Sequence, residues 1–461
     1  MKTIQPALLA MIAFMCGSAA AGAMSLREAV DYAVNTNPRV EAAQASRRAT
    51  DYVLKQAQGR LFPEIDVNAD YGKQKIDRPR GLGPDVNNVW RYRRQATVSV
   101  RQVLFDGFDR AYDIYRSQAR ITAASHKILA RSEAVGLSTV EAYIDVRRHL
   151  SLLVLAKQNV ARHEQLLSLI QERFDGGKAP LGDVEQTRER LEGAKALVGQ
   201  IEVAYETAKA KFRNAVGEEP VSLTPVAYAP GLPPTVEEIL LTAAQSNPQV
   251  RAAEAEIDVA DFDRKQFQSS LYPQITLEGS ATKGKELDGT PDRNDELKGM
   301  VVLRWKLFDG GVRRSREREL SERHAEKIAE QHILLRQLRE EVEIAWARLT
   351  KGRIRLTALR NQVEQNRKVA ATYLDAYNAN RRSLLDVLDA ENSGFISQFE
   401  LSNVSALHLF SSYQLLAHMG MLLDRLDVSR PVGSDQFYNA PVFDTGTPSY
   451  STFEIPPLSG D

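Results

Sequence analysis

Cysteine is all but missing from this sequence: its 461 residues contain one, Cys16. That residue follows an apolar run from Ile4 to Met15, led by Lys2, and precedes small residues ending Ala21-Gly22-Ala23. The pattern is that of a secretory signal over residues 1–23, cleaved before Met24. Phe14 and Met15 stand where an acylated lipoprotein needs small residues, so acylation of Cys16 is not expected. The mature chain then has no thiol, and packing rather than disulfides must supply stability in an oxidising compartment. Net charge is missing too, with Lys plus Arg and Asp plus Glu at 60 each, so no basic excess points to nucleic acid. Beyond the signal no run approaches the ~20 apolar residues that a spanning helix requires. If the chain enters a membrane, strands must carry it there. The seven histidines, including His408 and His418, lack metal-ligand spacing. Gly81 and Gly83 fall in a strand-to-strand loop, the wrong context for a nucleotide cradle. No cofactor, metal or enzymatic activity is expected.

What is present is a duplication. Leu104-Phe105-Asp106-Gly107 returns as Leu307-Phe308-Asp309-Gly310, 203 residues later. The same offset relates Asp183-Val184 to Asp386-Val387 and Gly217 to Gly420. Upstream, Asn37-Pro38 and Phe62-Pro63 recur 210 residues later as Asn247-Pro248 and Tyr272-Pro273. Such sustained register implies two tandem repeats. Repeat 1 covers 24–217 and repeat 2 covers 235–420, with a Pro-rich linker at 218–234 and a C-terminal segment at 421–461 that is expected to be partly strapped around the helices and partly disordered.

Within each repeat the side-chain period changes at the Leu-Phe-Asp-Gly joint. Upstream it is two: Ile65, Val67, Ala69 and Tyr71 alternate with Asp66, Asn68 and Asp70, which predicts strands at about 64–72 and 92–104, then at about 274–282 and 297–307. Each run suits the ~9–11 residues of a tilted strand crossing an outer membrane. A soluble hairpin with one face on a core is the alternative. Four strands cannot close a barrel, since the smallest have about eight, so a membrane barrel would be shared between copies. Two copies or three satisfy this equally. Downstream, long helices are predicted at 108–175 and 312–376, with returning helices at 183–215 and 384–419. Val146, Leu153, Val160, Leu167 and Phe174 stand seven apart, matched by Leu349, Leu356, Val363, Ala370 and Tyr377, the spacing of a left-handed coiled coil. Helices from Pro38 and Pro248 should continue the rows of the shorter returning helices.

Across the mature sequence, the doubled order of helix, strand, loop, strand and long helix, the two joints and the paired Asp-Val turns resemble the TolC family of outer-membrane efflux and secretion channels. That resemblance implies an α+β membrane protein. In it, four transmembrane β-strands per chain complete a twelve-stranded barrel in a homotrimer, continued by an α-helical coiled-coil periplasmic tunnel. It also implies gate links at Tyr377, Arg382 and Asp183, and an acidic ring at the constriction from Asp386 and Asp389. Gly182 departs from the pattern where a hydroxyl residue is expected. By their position alone, Asp183 and Asp386 would cap the returning helices, and Tyr377 would be the last heptad residue. The tips expected to meet an adaptor are Gly176, Gly177, Lys178, Ala179, Pro180 and Leu181 in one turn and Arg381, Ser383 and Leu384 in the other. The partners implied are outer-membrane lipid, a periplasmic adaptor (membrane fusion) protein and an inner-membrane ABC or proton-driven transporter.

Three functions fit: an exit duct for type I protein secretion, a small-molecule or multidrug efflux channel, and a periplasmic coiled-coil adaptor or scaffold. The absence of an acylated cysteine resembles the protein-exporting branch.

Overall fold

A computed structural model of the chain describes residues 23–77, 88–288 and 292–438. Cys16, nearly all of the expected signal segment, Gly81 and Gly83, and the tail beyond Tyr438 lie outside these residues. The elements run α1 (Leu26–Thr36), α2 (Pro38–Gly59), β1 (Glu64–Lys75), β2 (Trp90–Phe105), α3 (Asp109–Asp175), α4 (Leu181–Val216) and α5 (Val236–Ser246). They continue α6 (Pro248–Gln268), β3 (Gln274–Lys285), β4 (Arg293–Arg304), α7 (Val312–Asn378), α8 (Leu384–His418) and the short α9 (Leu422–Arg425). Two compact units result, and neither is a repeat. One gathers Met1–Ala43, Ile128–Pro248 and Leu335–Pro431, the other Gln44–Lys127, Gln249–Leu334 and Val432–Asp461. Each draws on both copies of the duplication.

The second of these units holds the sheet, an antiparallel meander in the order β1-β2-β3-β4. Its strands run further than the hydropathy pattern predicts: β1 and β3 continue to Lys75 and Lys285, and β4 occupies 293–304 rather than 297–307. Backbone pairing explains the difference, because Arg293 is still opposite Lys285 although neither side chain is apolar. At the other end Trp305 leaves the ladder, its indole N–H donating to Leu271 O at 3.1 Å.

The joints are built alike. Asp106 accepts from Arg110 Nε at 2.5 Å, and Asp309 accepts from Arg313 Nε at 2.8 Å, each pair spanning four residues at the start of a long helix. Arg60, just past α2, grips Asp109 at 2.7 Å and Asp113 at 2.6 Å and so fixes the entry to α3. Gly107 has φ +66°, and a Cβ there would lie 2.6 Å from Ser269 O and 2.8 Å from Tyr272 Cβ. Glycine is needed both for the backbone angle and for the close approach. The strap expected at the C-terminus is visible as far as Tyr438: Ser125 Oγ donates to Gln436 O at 2.9 Å, and Phe437 stacks on His126 with ring centroids 4.4 Å apart.

The helical unit is organised by its helix ends. Asn37 donates its side-chain amide to Ala215 O at 3.1 Å, and Asn247 donates to His418 O at 2.8 Å. Each Asn-Pro step thereby satisfies an orphan carbonyl in the last turn of a returning helix, and a new helix starts there. The heptad stripe on α7 is buried at Leu356, Ala370 and Tyr377 as the spacing predicts. On α3 the stripe is buried at Val146, but further along it is Leu152, Ala156, Leu166 and Ile170 that are buried, with Leu153 and Leu167 packed beside them. A helix with neighbours on more than one side buries a wider stripe than one seam.

Glu133 is the unit's most deeply buried carboxylate, accepting from Leu422 N at 3.1 Å and Leu423 N at 3.3 Å. Burial pushes it from 4.5 up to about 8, opposed by those two amides and by Arg430 and reinforced by Asp424. A raised carboxyl pKa stabilises the fold fully below about 4.5 and ceases to do so as pH rises through about 8. Thermal unfolding followed by circular dichroism should therefore show stability falling across that window, and Glu133→Gln should flatten the slope. At the joint, Gly107→Ala should cost about 1–3 kcal/mol through strain plus clash. Gly177→Ala, at φ +69° but in open space, should cost only the left-handed penalty of about 1–2 kcal/mol. Equal losses for the two would contradict the close approach at Gly107.

Candidate gate and sheet edges

The turns that end the long helices close in the same way. Lys178 N donates to Arg173 O at 2.7 Å with Gly177 at φ +69°, and Arg381 N donates to Ala376 O at 2.8 Å with Asn380 at φ +59°. Both are left-handed caps, and they stand at the duplication's offset. The returning helices start differently. Ser383 caps α8 in a reciprocal box with Asp386, whereas Pro180 precedes α4 and offers no side-chain bond.

Between the turns lies an apolar cluster of Leu166, Ile170, Val184, Tyr377, Leu384, Val387 and Leu388. Tyr377 is 6 % exposed. Its hydroxyl reaches out of the cluster to Asp183 Oδ2 at 3.4 Å, a long bond that joins repeat 2 to repeat 1. Burial, and then the Asp183 carboxylate, raise the phenol's pKa above its ordinary value, so it remains a donor. Arg382 does not join this pair. Its guanidinium lies 3.8 Å from the centre of the Tyr373 ring and 3.5 Å from Asp386 Oδ1, both within repeat 2.

The cation that crosses to Tyr377 is Arg173, which sequence reasoning missed. It sits 4.7 Å from the centre of the Tyr377 ring, donates to Asn378 O at 3.4 Å and bonds Asn380 Oδ1. Its signal was available, since a basic residue in the last turn of a helix favours the carbonyl end.

Asp386 is first of all a helix cap: the Ser383 hydroxyl, then the Ser383 backbone N–H, and also Arg382, hold its carboxyl below the usual range. Asp389, three residues on, is exposed and has Arg190 at 3.9 Å. Of the tip residues, Gly176, Gly177, Lys178, Pro180, Leu181, Arg381 and Ser383 are exposed and Ala179 is half-buried. Leu384 is 3 % exposed, inside the cluster, and Leu385 at 47 % takes its place on the surface. One residue along a helix turns the side chain by about 100°, enough to exchange core for solvent.

The sheet sorts its side chains by face. Val67, Val98, Ala281 and Leu297 form one row across the four strands, and Asn68, Thr97, Thr282 and Glu296 form the next. On the apolar face Ile65, Val67, Tyr71, Val301 and Leu303 stand well exposed. On the polar face Arg93 binds Asp70 at 2.9 Å, Thr97 meets Thr282 at 3.0 Å, and Glu278 receives Arg304 at 3.0 Å. Among the described residues, the outer edges of β1 and β4 have no strand beside them.

A family model described as "Outer membrane efflux protein" matches residues 29–218 and 239–421. Outer membrane efflux protein BepC of Brucella suis is 24 % identical over 428 residues, covering 91 % of each chain. Outer membrane protein TolC of Escherichia coli is 20 % identical over 438 residues, 92 % of this chain and 87 % of that one. Alkaline protease secretion protein AprF of Pseudomonas aeruginosa is 21 % identical over 413 residues, 87 % and 85 %. The solved structure of outer membrane protein VceC from Vibrio cholerae superposes with a TM-score of 0.73 at 17 % identity, covering 88 % of this chain and 97 % of that one.

Arg173 ends α3, where its carbonyl accepts from Lys178 N, and its side chain holds the other turn through the Tyr377 ring, Asn378 O and Asn380 Oδ1, so Arg173→Ala should speed amide exchange in both turns by about tenfold, the effect of ~1.4 kcal/mol. Arg382→Ala should speed exchange only in the turn near Asn380. Hydrogen exchange read by mass spectrometry separates the two outcomes.

Proposed function

The chain belongs to the outer membrane efflux protein family, and on that premise we propose that three copies pool their strands into one twelve-stranded barrel, continued into the periplasm by a helical tunnel. The observation that carries this reading is the four-stranded sheet, which among the described residues is uncovered on its apolar face and open at both edges. In hydrocarbon every backbone polar group needs a partner, so open edges must be closed by other strands. Aromatic side chains flank the apolar rows, with Phe62, Tyr272, Trp305 and Phe308 at the helical end and Tyr71, Trp90 and Tyr92 at the other, all exposed. From Phe62, two residues before β1, to Tyr71 the extended chain runs about 30 Å, and at a tilt of about 40° it spans about 23 Å, close to the ~25 Å apolar band of such barrels.

The duct is passive, and export is driven by an inner-membrane ABC or proton-driven transporter reached through a periplasmic adaptor. The exposed tips at Gly176 to Leu181 and at Arg381, Ser383 and Leu385 are the docking points. Tyr377, Asp183 and Arg382, with Arg173 added, hold the aperture shut, and Asp386 and Asp389 from three copies line it. Like charge converging on one axis would draw cations, more strongly at low salt. Type I protein secretion is the preferred cargo class, supported by the likeness to a protease secretion protein. The likeness to BepC favours the second reading, small-molecule efflux. No catalytic step belongs to the chain.

In detergent the protein should run as a trimer and in planar bilayers it should conduct, with Tyr377→Phe plus Arg382→Ser raising basal conductance several-fold. A monodisperse monomer without conductance would contradict the shared barrel, and unchanged conductance in the double variant would remove those residues from the gate.

A further inference from the structure

The two open edges carry charges that match each other. The base of β1, near the helices, is acidic at Glu64 and Asp66, and the matching end of β4 is basic at Arg304 and, two residues on, Lys306. At the far end the signs mix, with Lys75 and Asp77 on one edge and Arg293 and Asp295 on the other. Glu64, Asp66, Lys75 and Lys306 make no ion pair with described residues of their own chain, whereas Asp70, on the same strand, is bound by Arg93.

Resting on the shared-barrel reading, we infer that β4 of one copy pairs antiparallel with β1 of the next in a single register, Asp66 opposite Arg304. That register also places Glu64 opposite Lys306, Lys75 opposite Asp295 and Asp77 opposite Arg293. Four opposite-charge pairs result and no like-charge pair. The apolar face matches as well: Val67 meets Leu303, Ala69 meets Val301, and Tyr71 lies against Gly299, where an aromatic ring covers the bare backbone.

Only shifts of two residues keep each face on its side. Moving Asp66 to Val302 sets Lys75 against Arg293, and moving it to Lys306 sets Asp77 against Asp295. Both neighbouring registers thus carry a like-charge clash that the inferred one avoids.

The register also closes a barrel. The observed pairing carries a path from Asp66 through Ser99 and Ser280 to Lys298, and the inferred step then arrives at Gly72 of the next copy, six residues further along β1. Three such steps give a stagger of about eighteen residues in twelve strands, and hence a strand tilt of about 45°, as membrane strands adopt.

Cys16, the one native cysteine, lies in the expected signal, so introduced pairs report without background. Asn68→Cys with Val302→Cys should oxidise to covalent trimers in outer membranes, whereas Asn68→Cys with Met300→Cys or with Arg304→Cys should give at least tenfold less. Glu64→Lys should lower recovery of SDS-resistant trimers several-fold, and adding Lys306→Glu should restore it. Efficient linkage through Met300→Cys or Arg304→Cys without linkage through Val302→Cys overturns the register and leaves the shared barrel standing. No linkage between copies in any of the three pairs overturns both.

Discussion

A backbone amide or carbonyl without a partner costs several kcal/mol in hydrocarbon, and among the described residues of each chain no strand lies beside the outer edges of β1 and β4. Everything else in the molecule is consistent with meeting that cost elsewhere than within one chain. The sheet's apolar face is left bare, its polar face is knitted by Arg93, Thr97, Glu278 and Arg304, and the aromatic residues gather at its two ends. A soluble hairpin would have turned Val67 and Val301 onto a core. Here they stand exposed.

The joints pass this arrangement into the helices. Gly107 lets β2 turn sharply against Tyr272, and the Asp-Arg pairs on both sides fix the first turn of each long helix. Some sixty residues further on, the same duplication supplies two turns that lie together but are not equivalent. One is capped by Ser383 and Asp386, while the other begins at Pro180 without a side-chain cap. The less securely closed turn is the one whose Asp183 is left to meet Tyr377. The two otherwise matching halves therefore meet through the Tyr377 hydroxyl and Asp183 at 3.4 Å.

Much of this was legible in the residues. The repeats, the joints and the order of elements follow from spacing that chance does not sustain, and among the described residues no helix is long and apolar enough to cross a membrane. Strand ends were not legible, because a ladder continues through Arg293 and Lys285 on backbone bonds that hydropathy does not record. The contacts among the residues that the resemblance offers as gate links were legible only in part. Tyr377 and Asp183 come together, but Arg382 stays within its own repeat and Arg173 makes the crossing. Leu384 and Leu385 cannot be told apart by composition, since a single helical step decides which of them faces the cluster.

The most direct test of the account is amide hydrogen exchange on the protein reconstituted in lipid bilayers, resolved to individual strands. Closure by neighbouring copies predicts that amides along β1 and β4 exchange as slowly as those of β2 and β3. Rapid exchange confined to the outer edges of β1 and β4, with β2 and β3 protected, would mean that those edges remain open and that the barrel is not shared.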